Sequence, residues 1–206
     1  MPAPWWSVVS RVVWDDGPVA LIVLFHSVYG LRPVELGVAA RLRAGGHSVF
    51  TPDLYAGMAA DTVEDGFALA EQVGWPAITG RARDAIGKLS GDVVLAGISM
   101  GASVVEALLP ERARIAGVLL WHGLADIPAT VRSALPVQAH LADPDQYFPA
   151  ARVAGWTGAV DAGPAEAELF AYPRVGHFFT DPTLPDYDPS AAALAWERSV
   201  GFLGRL

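Results

Sequence analysis

The sequence predicts an α/β fold, a mostly parallel central sheet flanked by helices, in one domain spanning residues 1–206. Three observations point there. Short continuous apolar runs such as residues 19–25 suit strands covered on both faces. Ala-rich amphipathic stretches alternate with those runs, as βαβ units require. Hydrophobic residues make up 52% of the chain and charged residues 17%, enough apolar material for a large core.

Taken in order, residues 7–13 read as an edge strand and 19–25 as a buried central strand. Residues 33–43 read as a helix, with Pro33 suited to its first turn and Gly45-Gly46 to its stop. A short strand over 47–51 ends at Pro52. Helices are expected over 62–73 and 78–89, the second ended by Ser90-Gly91. Strand 92–96 leads into helix 102–109, which Pro110 closes. Strands follow at 115–121, 137–141 and 168–172. A closing helix spans 189–203, with Asp188 placed to cap it and Pro189 in its first turn. The link from 121 to 137 is only about fifteen residues, too short for a large lid over the site.

Composition excludes several functions. The net charge is −8 with no basic cluster, and Lys88 is the only lysine. Such a surface argues against nucleic acid and anionic membranes as partners. The absence of cysteine removes disulfides, thiolate metal sites and a cysteine nucleophile. No apolar run reaches the ~20 residues of a membrane span. The N-terminus lacks the basic and apolar regions of a signal peptide, and the expected location is cytoplasmic. No metal-binding, Walker or dinucleotide motif is present, so no cofactor is expected.

The segment Gly97-Ile98-Ser99-Met100-Gly101 carries G-x-S-x-G. In a chain with 21 glycines the motif alone is a weak signal. Its position between a strand pattern and a helix pattern strengthens it, because this is the setting of the nucleophile elbow in α/β-hydrolases. There the chain reverses so sharply that flanking side chains would collide, and the serine Oγ stands clear of the sheet. The amide of Met100 would lie at the helix start, where its N–H and the helix dipole favour an oxyanion.

In this fold the nucleophile is followed in the chain by an acid and then a histidine. Of His26, His47, His122, His140 and His177, only His177 leaves room for a post-strand acid after Ser99. The acid should follow the strand at 137–141, where Asp143 and Asp145 are both candidates. Asp145 is preferred, since it opens a D-x-x-x-P pattern with Pro149 starting the next helix, whereas Asp143 precedes a proline and suits a turn. The carboxylate would orient His177.

Several stretches together resemble the dienelactone hydrolase family: Ser27-Val28-Tyr29-Gly30-Leu31, Thr51-Pro52-Asp53-Leu54-Tyr55, the elbow, Asp145 with Pro149, and Gly176-His177-x-Phe179. The resemblance runs over residues 19–203 and implies an α/β-hydrolase fold. It maps the nucleophile to Ser99, the acid to Asp145, the base to His177 and a second oxyanion amide to Val28. Three departures matter. Family members that open dienelactone carry cysteine where Ser99 stands, and a glutamate controlling that thiol where Ser27 stands. Their substrate-binding arginine four residues after the histidine is Asp181 here, so dienelactone's carboxylate should meet a like charge.

The expected activity is hydrolysis of a small-molecule carboxylic ester or lactone by a monomer or small homo-oligomer. Acyl transfer or amide hydrolysis with the same residues, or ligand binding without catalysis, are the alternatives. His26, Ser27, Tyr29 and Phe179 are the candidate substrate contacts; core packing accounts for His26, Tyr29 and Phe179 at least as well. Tyr55, Trp121, Phe148 and Phe178 also fall near strand ends, while His122-Gly123 follows a strand and receives no role.

Overall fold

The computed structural model describes residues 19–206. The strand expected over 7–13 lies outside the described residues. Among the described residues six strands form one sheet in the order β2-β1-β3-β4-β5-β6, every neighbouring pair parallel. They are β1 (Leu21–Phe25), β2 (Ser48–Phe50), β3 (Val93–Ile98), β4 (Ile115–Trp121), β5 (Leu135–Asp143) and β6 (Ala165–Pro173). The helices are α1 (Pro33–Ala44), α2 (Val63–Val73), α3 (Trp75–Gly87), α4 (Met100–Leu108), α5 (Ala150–Asp161) and α6 (Pro189–Leu203).

Side-chain alternation along the strands divides the core in two. Ile22 and Leu24 of β1 and Val94 and Ala96 of β3 face Ala39 and Leu42 of α1 and Phe202 and Leu203 of α6. Val23, Phe25, Val93 and Leu95 point the other way, toward Ile78 and Ala82 of α3, Val104 and Leu108 of α4 and Trp156 of α5. Sheets covered on both faces need the continuous apolar runs that β1, β3 and β4 show.

Strand order reverses at β1: the chain goes outward to β2, then returns to β3 on the other side. The carboxyl ends of β1 and β3 therefore flank a crevice, the usual ligand position in an open parallel sheet. The loops holding Val28 and Ser99 leave the sheet at that point.

The expected elements are all present within residues 19–206, with shifted ends. α3 begins at Trp75, three residues early, because Gly74 supplies the turn and Pro76 fits a first helical turn. α5 was expected only through its start at Pro149, since its Ala- and Gly-rich sequence carries a weak amphipathic signal. β6 is three residues longer at its start than expected. Its Ala-Glu-Ala-Glu opening resembles helix composition, yet it is an edge strand exposing Glu166 and Glu168 on alternate positions.

Candidate active site

The turn between β3 and α4 is set by two close approaches. A Cβ on Gly97 would strike the backbone of Gly101 and Ala102, and a Cβ on Gly101 would strike the Phe25 carbonyl. With both positions glycine, the start of α4 presses against the end of β1. Ser99 itself takes φ 51° and ψ −108°, a conformation that L side chains seldom adopt. Its amide donates to the Trp121 carbonyl of β4 at 2.8 Å, anchoring the turn to the next strand.

The result aims the Ser99 hydroxyl at His177, with Oγ 2.9 Å from Nε2. On the far side of the ring, Nδ1 lies 2.7 Å from Asp145 Oδ2. A carboxylate only accepts, so Nδ1 carries the proton and Nε2 is left to accept one. The second Asp145 oxygen accepts the amides of Tyr147 (2.8 Å) and Phe148 (3.3 Å), which fixes the carboxylate's orientation. His177 and Asp145 are buried, while Ser99 is partly exposed. Asp143, the other candidate acid, is exposed at the end of β5.

Both proposed oxyanion amides lack protein acceptors among the described residues. Met100 is the first residue of α4, where no intrahelical acceptor exists. Its side chain is held aside: the Tyr55 hydroxyl donates to the Met100 sulfur at 3.1 Å, and burial pushes the Tyr55 phenol up to about 12. In the other loop, the amides of Tyr29 and Gly30 are taken by the Ser27 side chain and carbonyl, and that of Val28 is not.

The structure buries all four of the expected substrate contacts. His26 is fully buried; Nδ1 donates to the Ser27 carbonyl at 2.7 Å, and Nε2 accepts the Leu54 amide at 3.0 Å. Burial lowers its pKa, as suits a neutral ring bridging two loops. Ser27 is also fully buried and donates to Glu35 Oε1 at 2.9 Å. Phe179 packs beneath the site between His122 and Tyr172. Tyr29 is buried as well, its ring against Phe178 and the Arg32 guanidinium over its face.

Asp181 also has a place other than the one expected. Its Oδ2 lies 2.7 Å from Arg32 Nη2, and its Oδ1 accepts the amide and hydroxyl of Thr183. Arg32 also reaches Glu35 Oε1 at 3.1 Å. Burial pulls the guanidinium down, but the two carboxylates outweigh it and the net shift is upward. Asp181 is thus paired within the protein. The expected repulsion of a substrate carboxylate is largely answered by Arg32, yet Arg32 is thereby occupied.

His122 is the residue that the sequence left without a role and the structure sets beside the site. It is buried at φ 60°, its ring centroid 5.8 Å from that of His177 and its Nε2 2.6 Å from Thr180 Oγ1. Burial first, and then the neighbouring His177, lower its pKa well below the ordinary histidine value. A neutral ring therefore backs His177. The only available signal was position: a histidine immediately after a central strand, at the sheet's carboxyl edge.

Among the described residues no three His, Asp or Glu side chains converge as a metal site, and no helix is long and apolar enough to cross a membrane.

Comparison with known proteins agrees with this architecture. A dienelactone hydrolase-like promiscuous phosphotriesterase from metagenomic libraries superposes with a TM-score of 0.75 at 18% identity, over 93% of this chain and 88% of that one. An α/β hydrolase enzyme from a Medee basin deep-sea metagenome gives 0.67 at 12% identity, over 91% and 86%. Esterase 2 of Thermogutta terrifontis, phosphoramylated by tabun, gives 0.57 at 15% identity, over 94% and 86%. At such identities the likeness is one of fold, the α/β-hydrolase fold. No curated protein sequence matches the chain. The family assignment comes from the sequence itself: residues 9–206 match the dienelactone hydrolase family across nearly the whole length, and the chain belongs to that family of hydrolases.

Proposed function

We propose that this protein is a serine hydrolase that cleaves a carboxylic ester or lactone of a small molecule through an acyl-enzyme on Ser99. The observation that carries the reading is the continuous path Ser99 Oγ, His177 Nε2, His177 Nδ1, Asp145 Oδ2, with contacts of 2.9 and 2.7 Å.

In this reading Ser99 Oγ attacks the carbonyl carbon while its proton passes to His177 Nε2. Negative charge gathers on the carbonyl oxygen, and the Met100 and Val28 amides receive it. Asp145 steadies the imidazolium and holds the ring in the tautomer that accepts at Nε2. The tetrahedral species collapses as the imidazolium gives its proton to the departing alcohol oxygen. Water then attacks the Ser99 ester with His177 again as base, releasing the acid and restoring the hydroxyl. A neutral imidazole is needed at the start, since only that form accepts the Ser99 proton.

Turnover of a short-chain 4-nitrophenyl ester tests the reading. Ser99→Ala should lower kcat by about four orders of magnitude or more. A variant within tenfold of the parent would refute the nucleophile.

A further inference from the structure

Resting on the ester-hydrolase reading, we propose that the site selects uncharged esters bearing a flat apolar group, which lies against the adjoining rings of Phe67 of α2 and Tyr147, and discriminates against esters that carry a carboxylate.

α2 lies across the mouth of the site. A Cβ on Gly66 would come within 2.8 Å of the Val28 carbonyl, so the helix rests directly on the proposed oxyanion loop. Val63, Phe67 and Ala70 follow helical spacing i, i+4, i+7 and share one face. Val63 and Ala70 pack against the cluster of Val28, Tyr29 and Phe178, together with Met100. Phe67 belongs to the same face but is 52% exposed. Its nearest ring is Tyr147 at 6.0 Å, itself 39% exposed. Tyr147 in turn meets the His177 ring edge-on at 4.7 Å. Two half-exposed rings from separate elements thus adjoin each other, and one of them, Tyr147, lies against the reacting histidine. Rings in this tilted arrangement can take a third flat group with favourable edge and face contacts.

Charge at the mouth acts in the other direction. Burial, and then the carboxylates of Glu64, Asp145 and Asp186, hold the Tyr147 phenol above its ordinary range, which places negative field around it. Arg32, over the Tyr29 ring, spends its Nη2 on Glu35 and Asp181. An anionic substrate would enter a negative field with its natural partner already engaged.

The test uses three ethyl esters of similar intrinsic reactivity, followed by proton release: ethyl 3-phenylpropanoate, ethyl hexanoate and monoethyl adipate. The phenyl ester should lead in kcat/KM and the adipate should trail by roughly tenfold or more. Phe67→Ala should cut the phenyl-to-hexanoate ratio by roughly three- to tenfold, mainly through KM, and Phe67→Trp should restore it. An unchanged ratio in Phe67→Ala, or a parent that prefers the adipate, overturns the selectivity while leaving the hydrolase reading intact. Hydrolysis of all three that survives Ser99→Ala, or of none by the parent, overturns both.

Discussion

Ser99 is held at a backbone conformation that costs of order 1–3 kcal/mol and survives only because its surroundings enforce it. The Trp121 carbonyl and the two glycine contacts supply that enforcement. The motif around Ser99 was legible in the sequence because glycine leaves a visible mark where no Cβ fits. The acid was not fully legible. Asp143 and Asp145 are two residues apart, and only the geometry separates them: one is exposed, the other bonded to His177. Asp145→Asn should therefore lower kcat by about 10³–10⁴ with little change in KM, since the ring would settle in the wrong tautomer. Asp143→Asn should stay close to the parent. Steady-state kinetics of the two variants on one nitrophenyl ester checks both, and the reverse ranking would move the acid to Asp143. His26, Ser27, Tyr29 and Phe179, expected as substrate contacts, are all buried. Motif proximity says which loop a residue occupies, but side-chain direction decides whether it faces the crevice or the scaffold.

At the scale of elements, the two loops that frame the site are tied by one arginine. Arg32 follows the Val28 loop, Asp181 follows His177, and Glu35 sits in the first turn of α1. All three groups are largely buried, so they count for more than surface ion pairs do. Arg32→Met would keep the stem and strand two carboxylates, at a cost on the order of 3–5 kcal/mol at neutral pH. Urea denaturation at pH 7 should show that loss. A loss below about 1 kcal/mol would mean that packing, rather than charge, holds the loops. None of this was visible from Asp181 alone, because its partner lies 149 residues earlier. Elements with continuous apolar runs were read with nearly correct ends, β4 and α6 among them. α5 and the start of β6 were obscured by alanine-rich sequence whose period and propensity disagree with its structure.

At the scale of the whole molecule, the fold buries neutral histidines that an unfolded chain would protonate in mild acid. His140 is the clearest. Burial, and then the nearby Arg198, bring its pKa down to about 3 from 6.5. Its Nε2 lies 3.0 Å from Gln138 Oε1 and its Nδ1 2.8 Å from the Tyr172 hydroxyl, partners that suit the neutral ring. His26 and His122 are also lowered by burial. Between about pH 3 and 6.5 the unfolded chain binds the proton that His140 in the fold refuses, so stability is full above 6.5 and declines as pH falls through that window. Denaturant midpoints should drop steadily from pH 7 to pH 4, and His140→Gln should flatten part of that slope. A slope unchanged by the substitution would place the acid sensitivity elsewhere.

The most direct measurement is the intact mass of the protein after exposure to a fluorophosphonate, followed by mapping of the labelled peptide. One adduct should form on Ser99, disappear in Ser99→Ala, and form far more slowly in His177→Ala. A parent protein left unlabelled, or labelled equally well without Ser99 or without His177, would contradict the nucleophile and base assigned to this crevice.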